Sequence, residues 1–259
     1  MNGMLGITSL HRQRLLPDAG NAQKQTDIYR IKTFSSFWKA VATVAPDSPI
    51  YEAVLITALL LVVLCSRDYK SDDGELTVVR WFLLFRGLKA VIELRSFGGI
   101  LGISVSPVFR RENTELKTVP LIPAVLMKML ASIHPLDQDY AELPLYCESL
   151  DAMGILYASL RKDGVGANLS IRVISWPSFG SDRFVQLAKE NRPRALVLLA
   201  LYLVFVKLVK GLWWTEGISD HEITTISNIV GPKYASYMEV PLQAAQTTNL
   251  DDIAALLLK

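Results

Sequence analysis

The segment at residues 192–217, RPRALVLLALYLVFVKLVKGLWWTEG, limits what this chain can fold into more than any other. Pro193 suits the first turn of a helix, where its missing N–H is not needed, and Gly217 suits the stop of one. From Ala195 to Val206 the segment is apolar on every side, whereas a surface helix carries a single apolar stripe. The sequence therefore predicts a buried central helix, about residues 193–215, with other helices packed around it.

Apolar residues recur at helical spacing along most of the remaining chain. The further predicted helices cover residues 1–14, 22–44, 49–65, 76–95, 122–133, 136–161, 181–190, 219–229, 232–239 and 250–258. Residues 168–176 alternate weakly and are rich in branched side chains, so an extended segment is expected there. Residues 96–120 lack periodicity and are a candidate lid or entrance loop. The fold class predicted is all-α, with one helical-bundle domain over residues 1–259.

Composition argues against several classes of protein. The chain has 27 basic and 25 acidic residues, and the basic residues are scattered, so no direct nucleic-acid binding is expected. The longest apolar runs, residues 53–65 and 195–206, are shorter than the roughly 20 residues of a membrane span. Two cysteines and three histidines without metal-ligand spacing predict neither a metal nor another cofactor. Cys65 and Cys147 are expected to be buried free thiols, as in a cytoplasmic or nuclear protein.

Motifs for catalysis are sparse. Ser219, Asp220 and His221 are consecutive, so on a helix they point in different directions and do not form a triad; Ser219 is instead expected to cap a helix. Asp72-Asp73-Gly74-Glu75 is weighed against the aspartate-rich motifs that hold magnesium and diphosphate, but it lies in a predicted turn without a second such motif. No catalytic residue is assigned.

An aromatic and aliphatic stripe follows the central helix back from Trp213 at steps of three or four residues. Such a stripe is either ordinary core or the wall of an apolar pocket with a few polar groups. For the pocket alternative, Lys207 and Tyr202 would supply hydrogen bonds, and Trp81 and Phe85 of an earlier helix would face the stripe. The candidate ligand-binding residues are Tyr202, Phe205, Val206, Lys207, Val209, Trp213, Trp81 and Phe85.

Several blocks together resemble a known family. The segment 192–217, ISWPSF at 174–179, IVGPKYASYMEVP at 229–241 and FLLFRGLKAVIE at 82–93, with MLGITSLHRQRL near the start, resemble the C-terminal ligand-sensing domain of fungal zinc-binuclear-cluster transcription factors of the sterol-uptake-regulator type. The resemblance covers nearly the whole chain. It implies an all-helical fold and a pocket for a sterol.

The chain departs from that family in three respects. The six cysteines of the DNA-binding zinc cluster are missing, and the match begins inside the family's domain, as if its first helices were absent. Family members often carry histidines where this sequence has Leu201 and Lys207.

Two functions of different classes follow. The first is a stand-alone domain that binds an apolar small molecule of sterol, terpenoid or polyketide character. The second is a cofactor-free cyclase or isomerase of fungal secondary metabolism, such as a Diels-Alder-type pericyclase, which would hold a reactive conformer in the same pocket. A partner-binding role, such as formation of a homodimer by a regulator, is the third alternative.

Overall fold

The computed structural model describes residues 1–16, 21–45, 48–65, 76–93, 121–209 and 211–259. In these ranges it contains α-helices and short 3₁₀ turns and no β-strand, which confirms the all-α prediction. The helices are α1 Asn2–Leu15, α2 Ala22–Val41, α3 Tyr51–Cys65, α4 Thr77–Glu93, α5 Ala124–Ala131, α6 Leu143–Asp163, α7 Ala167–Ser175, α8 Asp182–Lys189, α9 Pro193–Leu208, α10 Ile218–Val230, α11 Ala235–Gln246 and α12 Leu250–Leu257. None of these helices has the length and apolar character needed to cross a membrane.

The chain divides into two compact units, Met1–Asp72 with Leu83–Glu112, and Asp73–Phe82 with Asn113–Lys259. The first contains α1, α2, α3 and the later part of α4. The second contains the first residues of α4 and the helices from α5 to α12. That all 259 residues form one domain stays a prediction.

In the first unit, α1 packs closely against α2 and α3 because its inner side is built of small residues. Gly3, Gly6 and Ser9 are buried there. A Cβ on Gly6 would lie only 2.9 Å from Leu64 Cδ2. The Ser9 hydroxyl donates to the carbonyl oxygen of Ala22 at 3.1 Å. Side chains larger than these would hold the helices apart.

The second unit is built around α9. Every residue from Arg194 to Val206 is buried, as is Leu208, and α9 contacts α6, α7, α8, α10, α11 and α12. Pro193 occupies the first turn, as predicted. A helix without a polar stripe needs such a complete cover, so the predicted buried central helix is confirmed.

The start of α9 is held by buried ion pairs. Arg194 is 5% exposed and donates to Asp139 Oδ2 at 2.7 Å and to Asp137 Oδ2 at 2.8 Å. Arg192 also donates to Asp139, which in addition accepts a bond from the Tyr146 hydroxyl at 3.2 Å. The hydrogen bond from Arg194 lowers the pKa of Asp137. These bonds fix the turn at residues 137–139 against the N-terminal end of the central helix.

The predicted end of the central helix is wrong. The helix ends at Leu208 instead of about residue 215, and Val209 has an extended conformation. Gly211 follows with a φ of 82°, a left-handed conformation that glycine adopts without steric cost. Gly217, expected as the stop, has a φ of 79° and is the N-cap of α10. Ser219, the expected cap, lies instead in the first turn of α10.

The extended segment predicted at residues 168–176 is also wrong, because Ala167–Ser175 form helix α7. Leu169 and Val173, four residues apart, are both buried, so the spacing that counts here is helical. Burial of this face outweighs the preference of the branched side chains for strands.

Other corrections are smaller. Residues 136–142 form turns and a 3₁₀ helix rather than the start of α6. Helix α11 continues past Glu239 to Gln246 with Pro241 inside it. Cys65 is only half-buried and Cys147 is exposed, and neither is in a disulfide bond. Most remaining helix ends agree with the prediction within about three residues, which is the usual uncertainty of boundaries predicted from sequence.

Candidate ligand-binding site

Tyr202 lies at the middle of α9 and is completely enclosed. Its hydroxyl donates to the carbonyl oxygen of Val173 at 3.1 Å. Its ring stacks on Trp176 with centroids 4.5 Å apart and an interplanar angle of 22°. Burial raises the pKa of the Tyr202 phenol. The side chain is therefore a neutral hydrogen-bond donor that already has a protein acceptor.

Four aromatic rings meet at this position, and we call Phe82, Trp176, Phe184 and Tyr202 the aromatic cluster. The Phe82 ring is at its centre, with centroid distances of 5.4 Å to Trp176 and 5.9 Å to both Phe184 and Tyr202. Gly180 lies against the Phe82 ring so closely that a Cβ there would be 2.8 Å from it. The edge-to-face arrangements are those that aromatic pairs prefer, so the cluster is well packed.

Beside the cluster is a narrow apolar gap. It has no room for a water molecule. Its wall consists only of apolar side chains from α4, α8 and α9: Val79, Phe82, Phe184, Val185, Ala188 and Leu199. A ligand could enter here only if one of these side chains changed its rotamer.

Most of the predicted stripe that follows Tyr202 in the sequence is also buried. Phe205 contacts Tyr157 edge-to-face at 4.9 Å, and Val206 and Val209 are 3% and 8% exposed. Trp213 is half-buried and follows the end of the helix. Phe85 is buried and belongs to the first unit. The structure thus brings Tyr202, Phe205 and Val206 onto one buried helix, while their role in ligand binding stays a prediction.

Lys207 has three protein acceptors. Its Nζ donates to Asp220 Oδ1 at 2.6 Å and to the carbonyl oxygens of Ala244 and Ala245 at 2.9 and 3.0 Å. An ammonium group has three donors, and all three are used. Lys207 therefore links α9 to α10 and to the C-terminal end of α11, where a positive charge is favourable.

Trp81 lies on the first part of α4, which α10 anchors. The Glu222 carboxylate accepts the backbone N–H of Val78 at 2.9 Å and that of Thr77. Burial raises the pKa of Glu222, although these backbone hydrogen bonds lower it in part. The Trp81 ring packs edge-to-face on Trp214 at 5.6 Å. The sequence analysis predicts that Trp81 faces the stripe on the central helix, and the structure gives it an aromatic contact with Trp214 in the turn that follows this helix.

The candidate ligand-binding residues predicted from the sequence do not include Phe82, Trp176, Trp214 or Glu222. Trp176 continues the buried face of Leu169 and Val173 at helical spacing. This spacing is not recognised because an extended conformation is expected for residues 168–176. Glu222 looks like any helix-surface carboxylate in the sequence. Only the tertiary structure places it at the N-terminus of α4.

Within the described residues no group of three or more histidine, cysteine, aspartate or glutamate side chains could hold a metal ion. The aspartate-rich motif at residues 72–75 and the candidate lid at 96–120 lie outside the residues that the structure describes. Asp220, one of the three consecutive polar residues weighed as a triad, is bonded to Lys207.

Comparison with known proteins gives one distant relation. The chain is 23% identical, over 94% of its length, to a protein of Gibberella zeae described as a Zn(2)-C6 fungal-type transcription factor. It spans 52% of that relative, about half. No family model matches the chain, and no solved structure matches it. The chain is therefore a distant relative of this class of regulator, while the sterol-regulator type and the enzyme alternative stay predictions.

Proposed function

From this distant relation to a Zn(2)-C6 fungal-type transcription factor, we propose that the chain is a regulator-type domain that binds an apolar small molecule. The observation that carries the proposal is that the similarity extends over 94% of the chain. The 259 residues contain two cysteines, whereas the resemblance implies six for the zinc cluster. The domain would thus sense a ligand without itself contacting DNA.

The interior of the second unit supports an apolar ligand. The central helix and its neighbours present large aromatic and aliphatic side chains with few polar groups between them, which is the usual lining of a small-molecule site. Tyr202 and Lys207 already have protein partners. A ligand that relied on many hydrogen bonds would have to break these. Sterols, terpenoids and polyketide-like molecules are the chemical classes that fit this composition.

Native mass spectrometry of the chain purified from its own cells tests the ligand directly. We expect an added mass that is lost under denaturing conditions and that belongs to a molecule soluble in organic solvent. After the ligand is extracted, the same molecule should bind again with a defined stoichiometry. Absence of any retained or rebinding apolar molecule on folded protein would contradict the proposal.

A reporter experiment tests the regulator role. The chain is fused to an unrelated DNA-binding domain, and transcription is measured with and without the extracted ligand. We expect the reporter signal to change with ligand concentration. A ligand that is chemically converted during incubation with the free chain would instead favour the cyclase or isomerase alternative. Homodimer formation and a cytoplasmic or nuclear location stay predictions that the same purified protein and a tagged copy can test.

A further inference from the structure

Two contacts define the interface between the first residues of α4 and residues 214–222, which lead into α10 and include its first residues. At one point the Glu222 carboxylate accepts the N–H groups of Thr77 and Val78. At the other, Trp214 packs on Trp81. The later residue of α4 thus pairs with the earlier residue of the other segment, so the two run in opposite directions across this interface.

Ser219 lies between these two contacts in the sequence. It precedes Glu222 by three residues, and hence shares its side of α10, and it follows Trp214 by five. Trp81 follows Thr77 by four residues and shares its side of α4. The antiparallel course therefore places Ser219 and Trp81 in the same interface, with Glu222 one turn away.

Both side chains have an unsatisfied polar atom. Trp81 and Ser219 are 2% and 4% exposed, and neither Trp81 Nε1 nor Ser219 Oγ has a hydrogen-bond partner within the part of the chain that the structure describes. Leaving a buried polar group unpaired costs about 1–3 kcal/mol. A single further atom between the two groups would satisfy both.

The chemistry of the two groups narrows the choice of that atom. An indole N–H only donates, whereas a serine hydroxyl can accept as well as donate. An alcohol oxygen can accept from Trp81 and donate its own proton to Ser219, and its carbon substituent then occupies the apolar surroundings of the two indole rings. A buried water typically makes about three hydrogen bonds, one more than these two groups offer.

We propose that Trp81 Nε1 and Ser219 Oγ together bind the hydroxyl group of an apolar alcohol, in the interface that Glu222 and Trp214 delimit. The inference rests on the proposed function and specifies which end of the ligand is recognised and by which residues. The site differs from the stripe on the central helix that the sequence predicts, although Trp81 belongs to both.

Matched probes and variants test this site. The probes are 2-decalol and decalin, which have the same carbon skeleton and differ in one hydroxyl group, and binding is measured by ligand-observed NMR. Trp81→Phe keeps an aromatic ring but removes the N–H, and Ser219→Ala removes the hydroxyl. We expect each variant to weaken 2-decalol about tenfold relative to decalin, because only 2-decalol has the hydroxyl group that the removed atom binds. Ser219→Ala removes a buried hydroxyl group that has no partner in the described residues. We therefore expect no loss of stability from this variant in thermal unfolding.

Trp176→Phe is the matched control. Trp176 Nε1 is also buried without a described partner, but its ring belongs to the aromatic cluster, so the affinity for 2-decalol should not change. Unchanged 2-decalol affinity in both Trp81→Phe and Ser219→Ala would overturn the site. A crystal structure with a water bridging the two atoms in the presence of 2-decalol would overturn it too.

The outcome also separates this inference from the function on which it rests. If the chain retains an apolar ligand but its affinity does not respond to either substitution, only the hydroxyl site is wrong. If the wild-type chain binds neither probe and retains no apolar molecule, the site and the proposed function are both overturned.

Discussion

Lys207 donates hydrogen bonds to three acceptors where α9, α10 and α11 meet. Its replacement shows whether this side chain stabilises the contact between the helices or donates a hydrogen bond to a ligand. Lys207→Met keeps the aliphatic stem but leaves Asp220 and two helix carbonyl oxygens without their donor. We expect the free energy of unfolding to fall by about 1–3 kcal/mol, as measured by urea denaturation. Because all three donors are used within the protein, the affinity for a retained apolar ligand should stay within a factor of two.

The control for this substitution is Lys162→Met, at an exposed position near the end of α6. Its effect should remain within about 0.5 kcal/mol, as for most surface substitutions. If Lys207→Met instead weakens ligand binding tenfold with little loss of stability, Lys207 is the ligand donor that the sequence analysis predicts.

The Glu222 carboxyl group makes the stability of the protein depend on pH, and its raised pKa fixes the direction of that dependence. Burial raises the pKa of its carboxyl group in the folded protein above the ordinary value of 4.5. The folded state then binds more protons than the unfolded state as the pH rises above 4.5, so this group lowers stability with rising pH until its raised pKa is passed. We expect the stability of the wild type relative to Glu222→Gln to decrease over that interval. Chemical denaturation at several pH values measures the free energy of unfolding of the wild type and of Glu222→Gln, with Glu239→Gln on the exposed face of α11 as baseline. If the wild type instead becomes more stable relative to Glu222→Gln as the pH rises, the assignment is contradicted.

The helices of the first unit depend on close approach, and a pair of identical substitutions tests this at the scale of an element. Gly6→Ala in α1 places a methyl group 2.9 Å from Leu64 Cδ2 and 3.3 Å from Tyr29 Cβ. The gain in helix propensity is about 0.5–1 kcal/mol, but overpacking typically costs about 1–3 kcal/mol. We expect net destabilisation, visible as a lower urea midpoint.

Gly87→Ala in α4 isolates the propensity effect. Apart from the backbone of α4 itself, no atom of the described residues lies within 4 Å of a Cβ at that position, so the same substitution should stabilise the chain by about 0.5–1 kcal/mol. Equal effects of the two substitutions would mean that α1 does not pack as tightly as described.

The helices also show which elements can be predicted from the sequence. Ser181 caps α8 through a bond from Phe184 N at 3.1 Å, and Asn249 caps the helix that Asp251 and Asp252 open; capping and first-turn acids are local signals. The formation of helix α7 depends on the burial of one face, and the end of α9 is followed by a left-handed Gly211. Neither feature can be recognised from a local sequence pattern. The Glu222 contact joins residues 145 positions apart, and no local signal indicates it.

At the scale of the whole molecule, the sequence predicts the fold class and the buried central helix, because an all-round apolar segment has few alternatives. It does not predict the aromatic cluster, whose members come from α4, α8, α9 and the turn after α7. Nor does it separate core from pocket, since the same apolar side chains serve both. Unpaired buried polar atoms such as Trp81 Nε1 and Ser219 Oγ appear only once the helices are packed, so the site proposed from them has no counterpart in the sequence pattern.

The position of α9 in the chain has a consequence for synthesis on the ribosome. Three of the six helices that cover it, α10, α11 and α12, are translated after it. While residues 218–257 are still being made, the nascent chain exposes an apolar helix that has no polar face to turn toward water. Such surface promotes aggregation. Chaperone capture of the nascent chain would therefore be most needed in the interval between the emergence of α9 and the release of the last helices.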